Sequence, residues 1–395
     1  MDESDHRVIG NRLDLFHQQE EAPGMAFWHP RGYALYAVVE GYIRKRMREA
    51  DYREVRTPLL LARSLWEASG HWERFGAQMF SLVDGERDFA LKPMSCPAHV
   101  QIFNGRVRSF RELPLRLAEF GACHRNEPSG ALLGLLRGRA FVQDDAHVFC
   151  TEAQIAGEVV RFCALLRRVY ADFGFDEIRV GFSTRPAERA GDEGLWDRAE
   201  ALLAEAARDA GLDLIAQPGE GAFYGPKLEF ALRDDRGRLW QCGTIQLDLV
   251  LPDRLGAAYV DAENRHLRPA ILHHAVLGSI ERFIGLLLEH YEGRLPLWLA
   301  PEQLALCTIG EGQEPYAERV ASLLSSEGYR VALDLRPERL SRKILDARAQ
   351  EIPLLLALGR REAATETVSL RRRDGDRESL PLAAVADALR AEAFR

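Results

Sequence analysis

The stretch EGRLPLWLAPEQ, residues 292–303, divides this 395-residue chain into two regions with different hydrophobic patterns. Its glycine and two prolines interrupt any continuing helix or strand, as a linker does. Ahead of it, KLEFAL and WQCGTIQLDLVL read as short alternating or apolar strands. GSIERFIGLLLEHY then reads as a helix, with Ile280, Phe283, Ile284, Leu287, Leu288 and Tyr291 on one stripe and Arg282 off it. Beyond the linker, QLALCTI, YRVAL and IPLLLAL are short buried-type strands separated by helical segments such as EPYAERVASLLSSEG. That alternation predicts a small α/β domain with a mixed or parallel sheet. The expected cut lies near residue 296, with an α+β domain built on a mainly antiparallel sheet over 1–296 and the small α/β domain over 297–395.

Within the first region, IGNRLDLFHQQEEAPG reads as a lead-in helix stopping at Pro23-Gly24, and RGYALYAVVEGYIRKRMREADY as an amphipathic helix. REVRTPLLL reads as a strand ending at Pro58. Residues 151–173 put Ile155, Val159, Phe162, Cys163, Leu166 and Val169 on one helical face, so Cys163 reads as core. The acidic N-terminus MDESDHRVIG has no basic segment followed by an apolar one, and no apolar run approaches the ~20 residues of a bilayer span. A cytoplasmic protein without a membrane partner is therefore expected. Six cysteines scattered from Cys96 to Cys307 show no framework spacing, which points to reduced thiols. A formal net charge of -8 argues against coating by bulk nucleic acid, yet leaves room for a folded RNA gripped by local arginines.

Cys96, in LKPMSCPAHV, sits among Lys92, Pro93, Pro97 and His99, the punctuation of a loop or of a helix start. Zinc favours thiolate and imidazole, and a site that takes substrate uses three protein ligands and leaves a position open. Cys96, His147 in QDDAHVFC and His273 in ILHHAVLGS are candidates for such a site. They lie far apart in the chain, and satisfied structural histidines remain the competing reading. In CHRNEPSG, Arg125 and Glu127 stand two apart on an expected strand, so that both project from one face; a guanidinium there can clamp a phosphate or carboxylate, and the carboxylate can accept from an amino group. A surface ion pair is the plainer reading. Arg282, at the start of a helix, is placed to reach an anion. Neither a P-loop nor a Gly-x-Gly-x-x-Gly dinucleotide turn is present.

Taken together, EEAPGMAFWHP, GHWERF, KPMSCPAHVQIFN, LPLRLAEFGACHRNEPSG, QDDAHVFCTEAQI, GEGAFYGPKLEF, WQCGTIQLD, LGSIERFIG and WLAPEQ resemble segments of the class II aminoacyl-tRNA synthetases, and among these the threonyl-tRNA synthetases. The resemblance spans nearly the whole chain. It implies one Zn2+ per subunit held by Cys96, His147 and His273, whose open positions take the amino and hydroxyl groups of L-threonine. YREVRTP is similar to the dimer-forming motif 1, with its proline at Pro58, which implies a homodimer. FGACHRNE is similar to motif 2, implying that Arg125 holds the α-phosphate of ATP and the threonine carboxylate and that Glu127 holds the adenine amino group. LGSIERF is similar to motif 3, implying Arg282 at the γ-phosphate. Arg137, Gln241 and Mg2+ complete the implied ATP site, and Lys227 is grouped with the catalytic residues. Met94, Gln143, Asp145, Tyr224, Lys227 and Gln246 match the amino-acid pocket, with Asp145 and Tyr224 toward the ammonium. His71 matches the histidine that assists transfer to the terminal ribose of tRNA(Thr). In the C-terminal domain, which resembles an anticodon-binding domain, Glu362 and Arg371 match anticodon readers, and Asn264 matches another in the catalytic domain.

The resemblance has gaps. The chain starts at the lead-in to the catalytic domain, so the N-terminal and editing domains of longer relatives are expected to be missing, and editing in cis and clearance of seryl-tRNA with them. Leu133 and His274 stand where histidine and arginine are usual, and Pro337 stands where an anticodon-contacting asparagine is expected; proline has no side-chain amide to offer. The leading expectation is a threonine--tRNA ligase. The alternatives are a threonine-activating paralogue with a specialised acceptor or an inhibitor-resistance role, and a non-enzymatic RNA-binding relative.

Overall fold

The computed structural model describes residues 2–233 and 237–394. Its contacts form two compact units: Met1–Ala22, Ala26–Tyr42 and Ile284–Arg395 make one, and Pro23–Met25 with Ile43–Phe283 the other.

The second unit is built on an eight-stranded sheet. Its strands run in the order Leu214–Gln217, Ile178–Ser183, Lys227–Arg233, Leu239–Asp248, Ala270–Ser279, Ala140–Cys150, Leu115–His124, Arg53–Glu54. The central pairings are antiparallel; only the outermost pair on each edge is parallel. Because side chains alternate along a strand, each strand gives one set to either face. One face packs on the helix Ile155–Asp172, where Ile155, Val159, Phe162, Cys163, Leu166 and Val169 are all buried. Phe162 meets Phe230 of the sheet, and the Tyr170 hydroxyl donates to the Val276 carbonyl while accepting from the Gly243 N–H. Full burial of each such apolar side chain contributes ~1.5–3 kcal/mol.

The other unit carries a five-stranded sheet in the order Val331–Asp334, Leu304–Thr308, Leu354–Leu358, Thr367–Arg372, Arg377–Pro381, parallel across the first three strands and antiparallel beyond. Leu304 and Leu306 point into one apolar cluster and Ala305 and Cys307 into another, which is why LALCT is apolar without alternation: both faces are covered.

Three local expectations are corrected. The lead-in helix is only His6–Arg12, capped by Asp5, whose carboxylate accepts from the Arg7 N–H. Leu13, Leu15 and Phe16 must all be buried; the chain turns at Asp14 with φ 55° and continues as the strand Phe16–His17 paired with Phe27–Trp28. REVRTPLLL is not one strand but two, Arg53–Glu54 and Leu60–Ala62. Between them the Thr57 N–H and hydroxyl turn inward to Glu119, and Pro58 has no N–H to give a ladder. The strand Leu115–His124 ends before Arg125, so Arg125 and Glu127 lie in a loop and not on a strand: the Arg125 N–H donates to the Arg139 carbonyl and the Asn126 N–H to the Gln78 carbonyl.

The join between Ser279 and the strand before it is held from behind by Asp144. Its buried carboxylate accepts from the N–H groups of Val276, Leu277 and Gly278 at 2.9, 2.9 and 2.8 Å, where the pairing with Ala140–Cys150 shifts register. Asp144→Ala strands three buried donors, each costing ~1–3 kcal/mol when left unpaired. We expect a loss of about 3 kcal/mol or more, measured by urea unfolding followed by tryptophan fluorescence.

Candidate functional site

One cross-strand row organises the open face of the larger sheet. Lys227 pairs with Gln246, Gln246 with His273, and His273 with His147, so four consecutive strands present these side chains on the same side. Two and four residues along, Asp145 and Gln143 join from the strand of His147, and Thr244 and Asp248 flank Gln246. Cys96 is the first residue of the helix Cys96–Asn104, and Tyr224 arrives on the turn before Lys227. That turn passes close to the sheet: a Cβ on Gly225 would fall 1.9 Å from the Leu247 carbonyl oxygen, so only glycine fits.

The result is a pocket whose wall includes Met94, Cys96, Arg125, Gln143, Asp145, His147, Tyr224, Gln246 and His273. Nine residues expected from the sequence at a site are thus brought together, and Thr244 and His274 also line the pocket. Tyr224 donates to Gln246 Oε1 at 2.6 Å, which fixes both groups. The Arg125 guanidinium donates through Nε to the Pro93 carbonyl at 3.2 Å and lies 5.0 Å from the Phe141 ring centre. Burial pushes the Asp145 carboxyl up, and pushes the Tyr224 phenol up as well.

The ligand atoms of Cys96, His147 and His273 all lie within 4.8 Å of one another, and all three residues are buried. His273 Nε2 is bonded to Asp248 Oδ2 at 2.8 Å, leaving Nδ1 free; Asp248 is held in turn by the N–H groups of Val250 and Leu251. His147 Nδ1 is bonded to His99 Nδ1 at 2.8 Å, leaving Nε2 free. Burial drives the His147 imidazole well down and the Cys96 thiol well up, so the uncharged forms prevail without a cation. One sulfur and two free imidazole nitrogens converging in a buried pocket, each imidazole braced on its far side, is a donor set that fits zinc.

His71 stands beside this group. It is fully buried, with Nε2 3.7 Å from Cys96 Sγ and Nδ1 2.8 Å from the Ser69 hydroxyl, and burial brings its imidazole down to about 3. The remaining named residues are placed as follows. Glu127 accepts from Arg137 Nη2 at 2.8 Å. Lys227 pairs with Glu229, which also accepts from Gln241 Nε2. Arg282, in the helix Ile280–His290, has a buried Nε without a hydrogen-bond partner. Asn264 is exposed in the Asp261–Arg265 turn at φ 60°, apart from the pocket wall. In the other unit, Glu362 accepts from the Gly359 N–H as a helix cap, and Arg371 lines a separate pocket with Arg348, Arg372, Arg373 and Arg377.

The residues bracing the pocket were not foreseen. Asp248, His99, Glu119 and Lys92 carry the second layer, and the one sequence signal was a lone carboxylate, Glu119, inside the otherwise apolar run LAEFGAC. Glu119 is only 3% exposed; it accepts from the Thr57 N–H at 2.8 Å and the Lys92 ammonium at 3.0 Å and is bonded to His99 Nε2 at 3.1 Å. Burial alone would raise its carboxyl, but the bonds from His99, Thr57 and Lys92 outweigh burial and bring it from 4.5 to about 2. A carboxyl depressed in the fold contributes stability that is complete above its unfolded value and is lost as pH falls toward its folded one. The shift corresponds to about 3 kcal/mol. Glu119→Gln is expected to cost about that much at pH 7 and less than half as much at pH 3, measured by urea unfolding at both values.

Comparison with known proteins agrees with this geometry. Residues 80–291 match the tRNA synthetase class II core domain (G, H, P, S and T), and residues 303–392 an anticodon binding domain. The chain is 56% identical over 392 residues to a threonine--tRNA ligase of Acidiphilium cryptum and 53% identical over 389 residues to one of Methylobacillus flagellatus. In both cases 98% of this chain aligns with 61% of the relative, so the chain spans about three fifths of the length of these curated relatives. A crystal structure of the RNA binding domain of threonyl-tRNA synthetase from Cryptosporidium parvum superposes with a TM-score of 0.97 at 40% identity, covering 99% of both chains. The sheet, the pocket on its open face and these matches together show that the chain belongs to the class II tRNA synthetases of the G, H, P, S and T group, with a core domain followed by an anticodon-binding domain.

Proposed function

We propose that this chain is a threonine--tRNA ligase, which activates L-threonine with ATP and transfers it to tRNA(Thr). The observation that carries the reading is the convergence of Cys96, His147 and His273 beside Asp145, Tyr224 and Gln246 in one pocket, in a chain whose relatives bear that name. We assign residues 1–296 to catalysis and 297–395 to anticodon binding, a division supported by family matches that end at 291 and resume at 303. The proposal includes a cytoplasmic homodimer joined through the segment around Pro58. Among the described residues no helix is long and apolar enough to cross a membrane.

Zinc held by Cys96, His147 and His273 would supply open positions for the amino and hydroxyl groups of threonine, so that isosteric valine, lacking the hydroxyl, is refused. The chain's own residues do the rest. Asp145 and Tyr224 accept from the N–H bonds of that amino group, and Gln246, held by Tyr224, lines the same wall. Met94 and Gln143 close the pocket around the side chain. Arg125, braced by the Pro93 carbonyl, brings the threonine carboxylate and the α-phosphate of ATP together. A carboxylate oxygen bonds to the α-phosphorus, the bond from that phosphorus to the bridging oxygen breaks, and pyrophosphate leaves with Mg2+. Arg282 and Arg137 offset charge on the triphosphate, Glu127 and Gln241 hold the nucleotide, and Lys227 supplies a further cation on the same row. In the second half, a hydroxyl of the terminal ribose attacks the adenylate carbonyl and AMP departs. His71, beside the amino-acid site, is the residue assigned to assist that transfer. Asn264, Glu362 and Arg371 are assigned to the tRNA, the latter two to its anticodon.

Pro337 is exposed and lacks an amide where an anticodon contact is expected, which favours a second reading with an altered acceptor. Charging of bulk tRNA decides between them: threonine-dependent pyrophosphate exchange without charging would leave a specialised acceptor, and no exchange at all would remove both readings.

Two outcomes are expected in variants. Cys96→Ser and His273→Ala each lose the one zinc per subunit and, with it, threonine activation, measured by metal analysis and pyrophosphate exchange. Arg125→Ala and Arg282→Ala each slow adenylate formation by at least ~100-fold while zinc stays bound, since both act on charge that develops in the transition state.

A further inference from the structure

We infer that His99 and Glu119 are positioning residues for His147: a Glu119–His99–His147 hydrogen-bond chain holds the metal ligand in the one tautomer that turns a bare nitrogen toward Cys96 and His273. The inference rests on the proposal that the pocket holds zinc and adds the device that orders one of its ligands.

The two imidazole ligands are braced differently. His273 has its carboxylate in direct contact, with Asp248 at 2.8 Å, the usual arrangement behind a metal-bound imidazole. Among the described residues His147 has no carboxylate within hydrogen-bond distance; Asp145 Oδ1 is 3.9 Å from its Nδ1. A second imidazole is interposed instead. His147 Nδ1 meets His99 Nδ1 at 2.8 Å, and His99 Nε2 meets Glu119 Oε2 at 3.1 Å.

The directions of these bonds follow from the acceptor at the far end. Glu119 is an ionised carboxylate and can only accept, so His99 carries hydrogen on Nε2, and as a neutral imidazole it presents Nδ1 as a lone pair. His147 must then place its hydrogen on Nδ1 to donate to that lone pair. Its Nε2 is left bare, which is the state a metal requires. Reversing either bond would set two N–H groups or two lone pairs against each other in a buried site. His99 and His147 are 0% and 1% exposed, their rings 4.6 Å apart and nearly perpendicular, so water is poorly placed to repair a reversal.

The chain is anchored where it ends. Glu119 is gripped by Lys92 Nζ at 3.0 Å and by the Thr57 N–H at 2.8 Å, and Lys92 donates to the Thr57 hydroxyl at 2.8 Å. Lys92 lies four residues before Cys96, and Thr57 immediately precedes Pro58. The polar network that orders one ligand therefore also ties the segments that carry another ligand and the implied motif 1.

The test compares zinc retention and imidazole tautomers. Loss of outer contacts of this kind costs ~10–100-fold in metal affinity. Zinc transfer from the purified protein to a chromogenic chelator should be at least tenfold faster for His99→Ala than for wild type. His99→Asn, whose amide oxygen preserves an acceptor, should lose zinc more slowly than His99→Ala. Imidazole 15N spectra of zinc-loaded wild type should show His99 protonated at Nε2 and His147 protonated at Nδ1, a measurement that needs no variant to fold. Folded variants that release zinc within twofold of wild type, or a His99 ring protonated at Nδ1, overturn the relay and leave the zinc site standing. A wild-type protein that binds no zinc overturns both.

Discussion

Everything in the candidate site depends on the register of four antiparallel strands. A one-residue slip of Ala270–Ser279 would send His273 to the helix-covered face and bring His274 to the pocket. The register is held on both faces at once. Behind the sheet, Asp144 clamps three successive N–H groups of that strand, and Tyr170 ties Val276 to Gly243. In front, most pocket residues are polar, with Met94, Cys96 and Tyr224 packed into a small apolar cluster with Phe223 and Leu251. The helix-covered face thus fixes geometry that the open face uses.

The same alternation explains how a departure can sit next to a ligand and still differ in kind. His274 stands where the resemblance leads one to expect arginine. Its Nε2 meets the Tyr52 hydroxyl at 2.7 Å and its ring packs 4.5 Å from that of Phe162, on the helix side. It is adjacent to His273 in sequence but its imidazole belongs to the other layer. Leu133, by contrast, is 40% exposed and forms a bridge to Arg137, so that departure does lie on the loop that carries Glu127's partner.

Strand patterning, a local signal, makes the antiparallel core and the mixed sheet beyond the linker legible, whereas resemblance to a family in long segments is what singles out most of the residues that line the pocket. The misreadings share a cause. REVRTPLLL satisfies strand propensity throughout, yet Thr57 is drawn off the ladder by Glu119, a partner 62 residues away. Leu13, Leu15 and Phe16 fit a helical stripe as readily as the extended path they take, so the lead-in helix reads longer than it is. Arg125 and Glu127 read as strand because nothing local reveals that the ladder ends at His124. The bracing layer was the least legible: a buried Lys92 and His99 acquire meaning only when a distant carboxylate meets them.

That layer also bears on where charge is tolerated. Lys92 and Glu119 are almost wholly buried, and an ion pair so placed is weak evidence for added stability, since desolvation offsets much of its attraction. Replacing both partners with apolar groups would remove that desolvation cost but leave the buried Thr57 N–H and His99 Nε2 without their acceptor. What apolar groups could not do is define the direction of a hydrogen bond. A carboxylate that only accepts sets His99, and through it His147, whereas a leucine would leave both rings free to choose. The cation beside Glu119 keeps that carboxylate ionised in a dry setting, and the Thr57 N–H adds a donor without adding charge. The buried pair is best understood as the fixed end of an ordered chain whose other end is a bare nitrogen.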